Sequence, residues 1–161
     1  MAMGRRDGTG APARRVVYYD HAAPERPQPP FRAGEVSSLE LHDDGEPTTR
    51  TRVAIAANSL HALYGHGVVD ALNRLALAAG PIAPGRDAVL RPGAVSEASR
   101  VLYEADRTTY GRTFEFAVEG GDRAVAYRIA IDNREYQRTL SRLQYLVVMA
   151  GREGRAVRLR L

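Results

Sequence analysis

The stretch FEFAVEGGDRAVAYRIAI, residues 114–131, is the clearest structural signal in the chain. Apolar side chains alternate with polar or small ones on both sides of Gly120-Gly121, which is typical of a β-hairpin. Charge favours a four-residue loop, which places Glu115 opposite Arg128, over a two-residue loop, which would bring two acidic residues together. We therefore predict an antiparallel hairpin with a four-residue loop.

Helical patterns lie on both sides of this hairpin. Before it, apolar residues recur at three- and four-residue steps over 95–105, and after it a similar pattern runs over 132–150. Residues 157–161 then alternate as a final strand, in which Val157 and Leu159 face the core.

The preceding part of the chain predicts a second hairpin and a third helix. The hairpin spans 36–56, with a turn at Asp44-Gly45. The helix follows until Gly80-Pro81, and Gly65-His66-Gly67 interrupts it, which indicates a break or a close approach to neighbouring backbone. Residues 81–93 contain three proline-punctuated turns and are predicted to be a loop.

From Thr49 onward these elements follow the ferredoxin-like βαββαβ order, with an inserted short helix and an extra N-terminal strand. The predicted fold class is α+β, with two helices covering one face of a four-stranded sheet whose first and third strands are central. The apolar residues that alternate along the strands are expected to face these helices, among them Ile55, Phe114 and Ile129. We expect one domain over residues 36–161. Residues 1–35 are rich in arginine, proline and glycine and predict a flexible, disordered arm. Within this arm, residues 16–19 are expected to pack as a loose strap, and the alternative is an added strand at a sheet edge.

Composition excludes several classes of site. The chain of 161 residues has no cysteine, which rules out disulfides, thiolate metal sites and a cysteine nucleophile. It has no apolar run long enough for a membrane span and no secretory leader pattern, so we expect no membrane partner and a cytoplasmic location.

Positive charge is concentrated near the C-terminal end. All 23 lysine-plus-arginine residues are arginine, a bias typical of a GC-rich coding sequence, which weakens the meaning of any single arginine. From Arg134 onward there are seven arginines and only two acidic residues, Glu135 and Glu153. The net charge of +4 favours anionic partners.

The predicted open sheet face is the leading candidate binding site. Arginines separated by alanines on this face would bind phosphates or carboxylates. The predicted set is Arg50, Arg52, Arg128, Arg158 and Arg160. The alternatives are a solvated face, or one covered by the strand of Leu39 or by another subunit, and the face lacks the aromatic residues on which single-stranded nucleic acids stack.

A second basic row repeats every four residues. Arg134, Arg138 and Arg142 share one side of the last predicted helix, and we expect this row to be the solvent side of an amphipathic helix. The helix also has Leu146, Val148 and Met149, so that it is apolar on more than one side, which favours an oligomer.

No motif assigns catalysis, a metal or a cofactor. His61 and His66 are five residues apart, a spacing that does not place two metal ligands on one helix face. The serines lack a nucleophile-elbow context, and the glycine pairs match no phosphate-binding loop.

The sequence therefore favours a non-enzymatic protein-interaction or regulatory module that self-associates or docks on a protein partner. The alternative is an anion or nucleic-acid binder that uses the arginine-lined sheet face. An enzyme built around His61 or His66 is the third possibility. We expect no cofactor.

Overall fold

The computed structural model describes residues 15–20, 33–110, 114–119, 125–131 and 133–161, which form a mixed α+β structure. The elements of these residues follow the chain as β1 (Arg15–Asp20), β2 (Gly34–Glu40), β3 (Thr48–Ile55), α1 (Ala57–Gly65), α2 (Val68–Asn73), β4 (Leu77–Ala78), β5 (Asp87–Leu90), α3 (Val95–Thr109), β6 (Phe114–Glu119), β7 (Val125–Ile131), α4 (Asn133–Arg152) and β8 (Ala156–Arg160). The predicted α+β class is confirmed.

The described strands form two sheets. The larger is antiparallel throughout, with five strands in the order β3-β2-β8-β5-β4. The smaller has three strands in the order β1-β7-β6, in which β1 runs parallel to β7 and β6 runs antiparallel to it. The final strand, β8, lies at the centre of the larger sheet, between β2 and β5.

The predicted ferredoxin-like arrangement is wrong in its strand pairing. β6 and β7 lie outside the larger sheet, in a smaller one where β7 pairs with both β1 and β6, so the ferredoxin-like order is not confirmed. The prediction placed β3 and β7 at the centre of the sheet, whereas in the structure β8 is central, between β2 and β5, and β5 lies in the segment predicted to be a loop. Alternation along a strand shows which residues share a face but not which strand is the neighbour, so the pattern could not distinguish the two arrangements.

The hairpin of β6 and β7 exists, but its register differs from the predicted one. Glu115 pairs with Ala130, and Arg128 pairs with Ala117. The loop is therefore longer than four residues, and the expected pairing of Glu115 with Arg128 does not occur.

The described part of the predicted N-terminal arm includes the strand β1. β1 pairs with β7 over its whole length, from Arg15 opposite Val125 to Asp20 opposite Ala130. The strand-addition alternative is thus observed in place of the loose strap. The rest of the arm before Ala33 lies outside the described residues, and β2 begins at Gly34.

The predicted break in the helix that follows the first hairpin is confirmed. α1 ends at Gly65, and Gly67 adopts a left-handed conformation with φ of +72° before α2 begins. The helical region ends at Asn73, earlier than predicted. The Asn73 side chain accepts a hydrogen bond from the Ile82 backbone N–H at 2.7 Å and donates one to the Ile82 carbonyl at 3.1 Å, which fixes the following loop.

One face of the larger sheet packs on the helices. Val36, Ile55 and Val157 lie in the same buried cluster as Leu63 of α1 and Leu140 of α4. The predicted inward orientation of Ile55, Val157 and Leu159 is therefore confirmed. The corresponding side chains predicted for β6 and β7 lie outside the described residues.

A glycine lies where β2 approaches β8. A Cβ atom on Gly34 would be 3.0 Å from the Arg160 backbone oxygen and 3.3 Å from a Leu161 side-chain carbon. Backbone held by a ladder on both sides cannot move aside without weakening its hydrogen bonds. We therefore expect Gly34→Ala to lower the free energy of unfolding by about 1–3 kcal/mol in urea denaturation.

The matched control for this change is Gly45→Ala. No atom lies within 4 Å of the Cβ position at Gly45, and its φ is not positive. The same substitution there is expected to leave stability unchanged or to raise it by a few tenths of a kcal/mol. Equal stability of the two variants would contradict the close approach of β2 and β8.

Candidate anion-binding groove

The predicted arginine platform is only partly assembled. Arg52 of β3 and Arg158 of β8 lie on one sheet face, on either side of Ser37 of β2. Arg160 lies one row further along the same face. Arg128 lies on β7, in the smaller sheet, so it does not share a sheet with the others, and its side chain lies outside the described residues.

Acidic partners neutralise most of these arginines. Arg160 donates two hydrogen bonds to Asp87, at 2.7 and 2.9 Å, and Arg158 lies 3.9 Å from the same carboxylate. The hydrogen bond from Arg160 lowers the pKa of Asp87 below its ordinary value. Arg50 is hydrogen-bonded and ion-paired with Glu40, and this contact lowers the pKa of Glu40.

The centre of this face is also buried. Leu39 and Ala156 share the face with Arg52 and Arg158, and each is 1% exposed. Ser37, directly between the two arginines, is buried as well. The strand of Leu39 lies beside β3 within the sheet, so it does not cover the face as one alternative proposed. Among the described residues the predicted platform is therefore buried at its centre, while Arg50, Arg52 and Arg160 are exposed and Arg52 forms no ion pair with a described carboxylate.

A different group of arginines lines an open groove. The groove lies between the N-terminal half of α4 and the end of β3, which is an edge strand among the described strands, and its volume is about 530 Å³. Its lining residues are Ala54, Ala56, Arg134, Glu135, Arg138, Thr139 and Arg142. The second basic row of the sequence thus faces the edge of the sheet, rather than only open solvent.

The packing of α4 determines where these arginines point. Tyr136 and Leu140 are buried against the core, and Thr139 donates a hydrogen bond to the Ser59 hydroxyl at 3.1 Å, which joins α4 to α1. Residues four apart on a helix lie on the same side and about 6 Å apart along the axis. Arg138 and Arg142 therefore follow one another along the groove.

The charges in the groove are unbalanced. Arg134 and Glu135 each interact with another group. Arg138 and Arg142 are exposed, and within the described part of the chain neither forms an ion pair with a carboxylate. Two guanidinium groups are therefore available to an anionic ligand, each able to form charge-assisted hydrogen bonds.

The sequence predicts the row of arginines but not the groove that the row lines. The four-residue spacing of the arginines predicts a shared helix face, which is observed. The opposite wall of the groove exists because β3 is an edge strand, and the predicted fold placed that strand at the centre of the sheet. No local pattern in residues 48–55 indicates an edge position.

The histidines singled out in the sequence are directed into the protein. His61 is 2% exposed, and burial lowers its pKa to about 4. The His66 ring stacks on Tyr136 with ring centres 5.1 Å apart, and burial lowers its pKa as well. No group of three or more metal-ligating side chains occurs among the described residues.

Of the three apolar residues of α4 that favoured an oligomer, one is buried. Leu146 is buried within the chain, whereas Val148 and Met149 are half-buried. The large apolar side chains that are exposed in the described ranges are Leu41, Tyr103, Tyr110 and Tyr145.

No helix in the described ranges is both long and apolar enough to cross a lipid bilayer. No protein-family model matches the chain, and no match was found among curated proteins or solved structures.

Proposed function

We propose that this protein is a non-enzymatic interaction module that binds a polyanionic partner in the groove between α4 and β3. The observation that supports this proposal is the pair Arg138 and Arg142, which line an open groove without carboxylate partners among the described residues. Of the sheet-face arginines, by comparison, Arg50 pairs with Glu40, and Arg158 and Arg160 share the carboxylate of Asp87.

The size of the expected effect follows from the type of contact. A hydrogen bond between a charged donor and a charged acceptor contributes about 1.5–3 kcal/mol, although at an exposed site screening by salt reduces this value. Two arginines side by side can therefore supply measurable affinity for a ligand with several negative charges. They supply little for a ligand with a single charge.

A catalytic role for the histidines has less support. The His61 ring is inaccessible to a substrate because the residue is buried in α1, and the His66 ring is stacked on a core tyrosine. An enzyme built around these two residues would need the core to open.

The groove can be tested with a double charge reversal, Arg138→Glu with Arg142→Glu. Fluorescence anisotropy would follow a labelled polyglutamate peptide and a labelled single-stranded oligonucleotide. We expect the unaltered protein to bind at least one of these probes, and the variant to bind it about tenfold more weakly or worse, a loss of about 1.4 kcal/mol or more. Raising salt from about 50 to 200 mM should weaken the binding.

The matched control makes the same change of net charge elsewhere. Arg86 and Arg100 are exposed and do not line the groove, so R86E/R100E should keep its affinity within about threefold of the unaltered protein. Circular dichroism would confirm that both variants fold. Equal losses in the two variants, or no binding of either probe by the unaltered protein, would overturn the proposal.

Self-association stays a prediction. It would be measured by light scattering at several protein concentrations, where a mass above that of one chain would support it.

A further inference from the structure

The geometry points to an acidic polypeptide segment as the ligand of the groove, bound in extended form as an added strand along β3. This inference rests on the proposed function, because it names the partner of the same site.

The position of β3 favours strand addition. It is an eight-residue strand at the edge of the larger sheet, and among the described strands it pairs only with β2. An edge strand presents backbone N–H and C=O groups that another polypeptide can pair with, and such pairing is a common mode of peptide recognition. Most residues of β3 are exposed.

The second argument is the shape of the groove beside this edge. Ala54 and Ala56 are its exposed lining residues on the strand side, and a methyl group leaves room for another backbone to approach. Arg138 and Arg142 line the opposite wall. A strand placed here would pair its backbone with β3 and project alternate side chains to the sheet face on which α4 packs.

The third argument is a match of spacing. Alternate residues of a strand lie about 6.6 Å apart and project to the same side. Arg138 and Arg142, four residues apart on a helix, lie about 6 Å apart along the axis. The spacing of alternate acidic side chains in a strand is therefore close to the spacing of the two arginines along α4.

Two other occupants fit less well. A second copy of β3 paired antiparallel about Thr51 would place Arg50 of each copy opposite Arg52 of the other, and like charges on paired strands are destabilising. A single-stranded nucleic acid would find no aromatic side chain among the residues that line the groove, and Tyr145 is exposed on α4 but is not one of them.

The test uses a labelled peptide of alternating glutamate and valine with the full chain. Three comparison ligands are used. Two are the same peptide N-methylated at alternate amides, one at the odd-numbered and the other at the even-numbered positions, so that one of them blocks the edge that faces β3. The third is a labelled single-stranded oligonucleotide. Methylation leaves the charge intact but removes backbone donors. We expect one of the two methylated peptides to bind about tenfold more weakly or worse than the unmodified peptide. We also expect slower amide hydrogen exchange over Thr48–Ile55 when the unmodified peptide is bound.

The outcomes separate this inference from the proposed function. Equal binding of all three peptides, or binding with unchanged exchange in β3, would overturn strand addition but leave a polyanion-binding groove. Binding of the oligonucleotide alone would likewise overturn the acidic peptide and keep the proposed function. Failure of every probe would overturn both.

Discussion

Replacing Tyr136 with alanine is expected to lower the free energy of unfolding by about 3–5 kcal/mol. Tyr136 is 1% exposed and is among the largest fully buried side chains described. Its ring joins α4 to the connection between α1 and α2, where it stacks on His66 at 5.1 Å. Removal of the ring would leave a cavity between helices that cannot collapse without moving the sheet beneath them. Urea denaturation followed by circular dichroism would measure the loss.

Tyr136→Phe is the matched control. Within the described residues, the Tyr136 hydroxyl is buried without a hydrogen-bond partner. A buried polar group that is not hydrogen-bonded costs free energy, so its removal should leave stability unchanged or raise it slightly. A loss below about 1 kcal/mol for the alanine variant would contradict the packing described for α4. A loss of similar size in the phenylalanine variant would show that the hydroxyl, rather than the ring, is responsible.

Acidification is expected to destabilise the protein by about 3 kcal/mol through His61. Burial lowers the pKa of His61 from 6.5 to about 4. Between these values the unfolded chain binds a proton that the folded chain excludes, so the free energy of unfolding decreases as the pH is lowered. The contribution is constant above about pH 7, decreases from about pH 6.5 to 4, and levels off below that range. The lowered pKa of His66 acts in the same direction.

The pH dependence can be assigned with two glutamine variants. His61→Gln should show a smaller decrease in the free energy of unfolding between about pH 7 and 4.5 than the unaltered protein. His42→Gln should keep the full decrease, since His42 is exposed and contacts Thr48 at the surface. If H61Q does not fold, the NMR titration of the His61 ring decides the matter, because a midpoint near the ordinary value of 6.5 would contradict the buried position.

Local patterns in the sequence were sufficient for most individual elements. The alternation in residues 114–131 predicted the hairpin of β6 and β7, and the glycines around His66 predicted the break between α1 and α2. Each of these depends on neighbours in the sequence, which the pattern records directly. The pairing of β7 with β1 depends on contacts between distant residues, and nothing within a single strand specifies it.

The strand β5 was not predicted, and this affected the predicted charge of the sheet face. β5 has only four residues and lies between proline-containing turns, so its pattern is too short to indicate a strand. That strand contains Asp87, whose carboxylate pairs with Arg160 and Arg158. Because β5 was taken for a loop, the sheet face was predicted to be more positive than it is. The Arg138 and Arg142 row was visible in the sequence, but its groove required knowledge of the strand order.

The central position of β8 has a consequence for the rate of folding. Its neighbours on both sides are distant in the sequence, and Arg160 and Asp87, which pair across β8 and β5, are 73 residues apart. Closing such long loops costs chain entropy before the pairing is rewarded, and proteins dominated by such contacts fold slowly. The hairpin of β2 and β3 can form early, but it must wait for β8 before its second edge is paired. The larger sheet is therefore expected to assemble late, in a single cooperative step that closes around its middle strand.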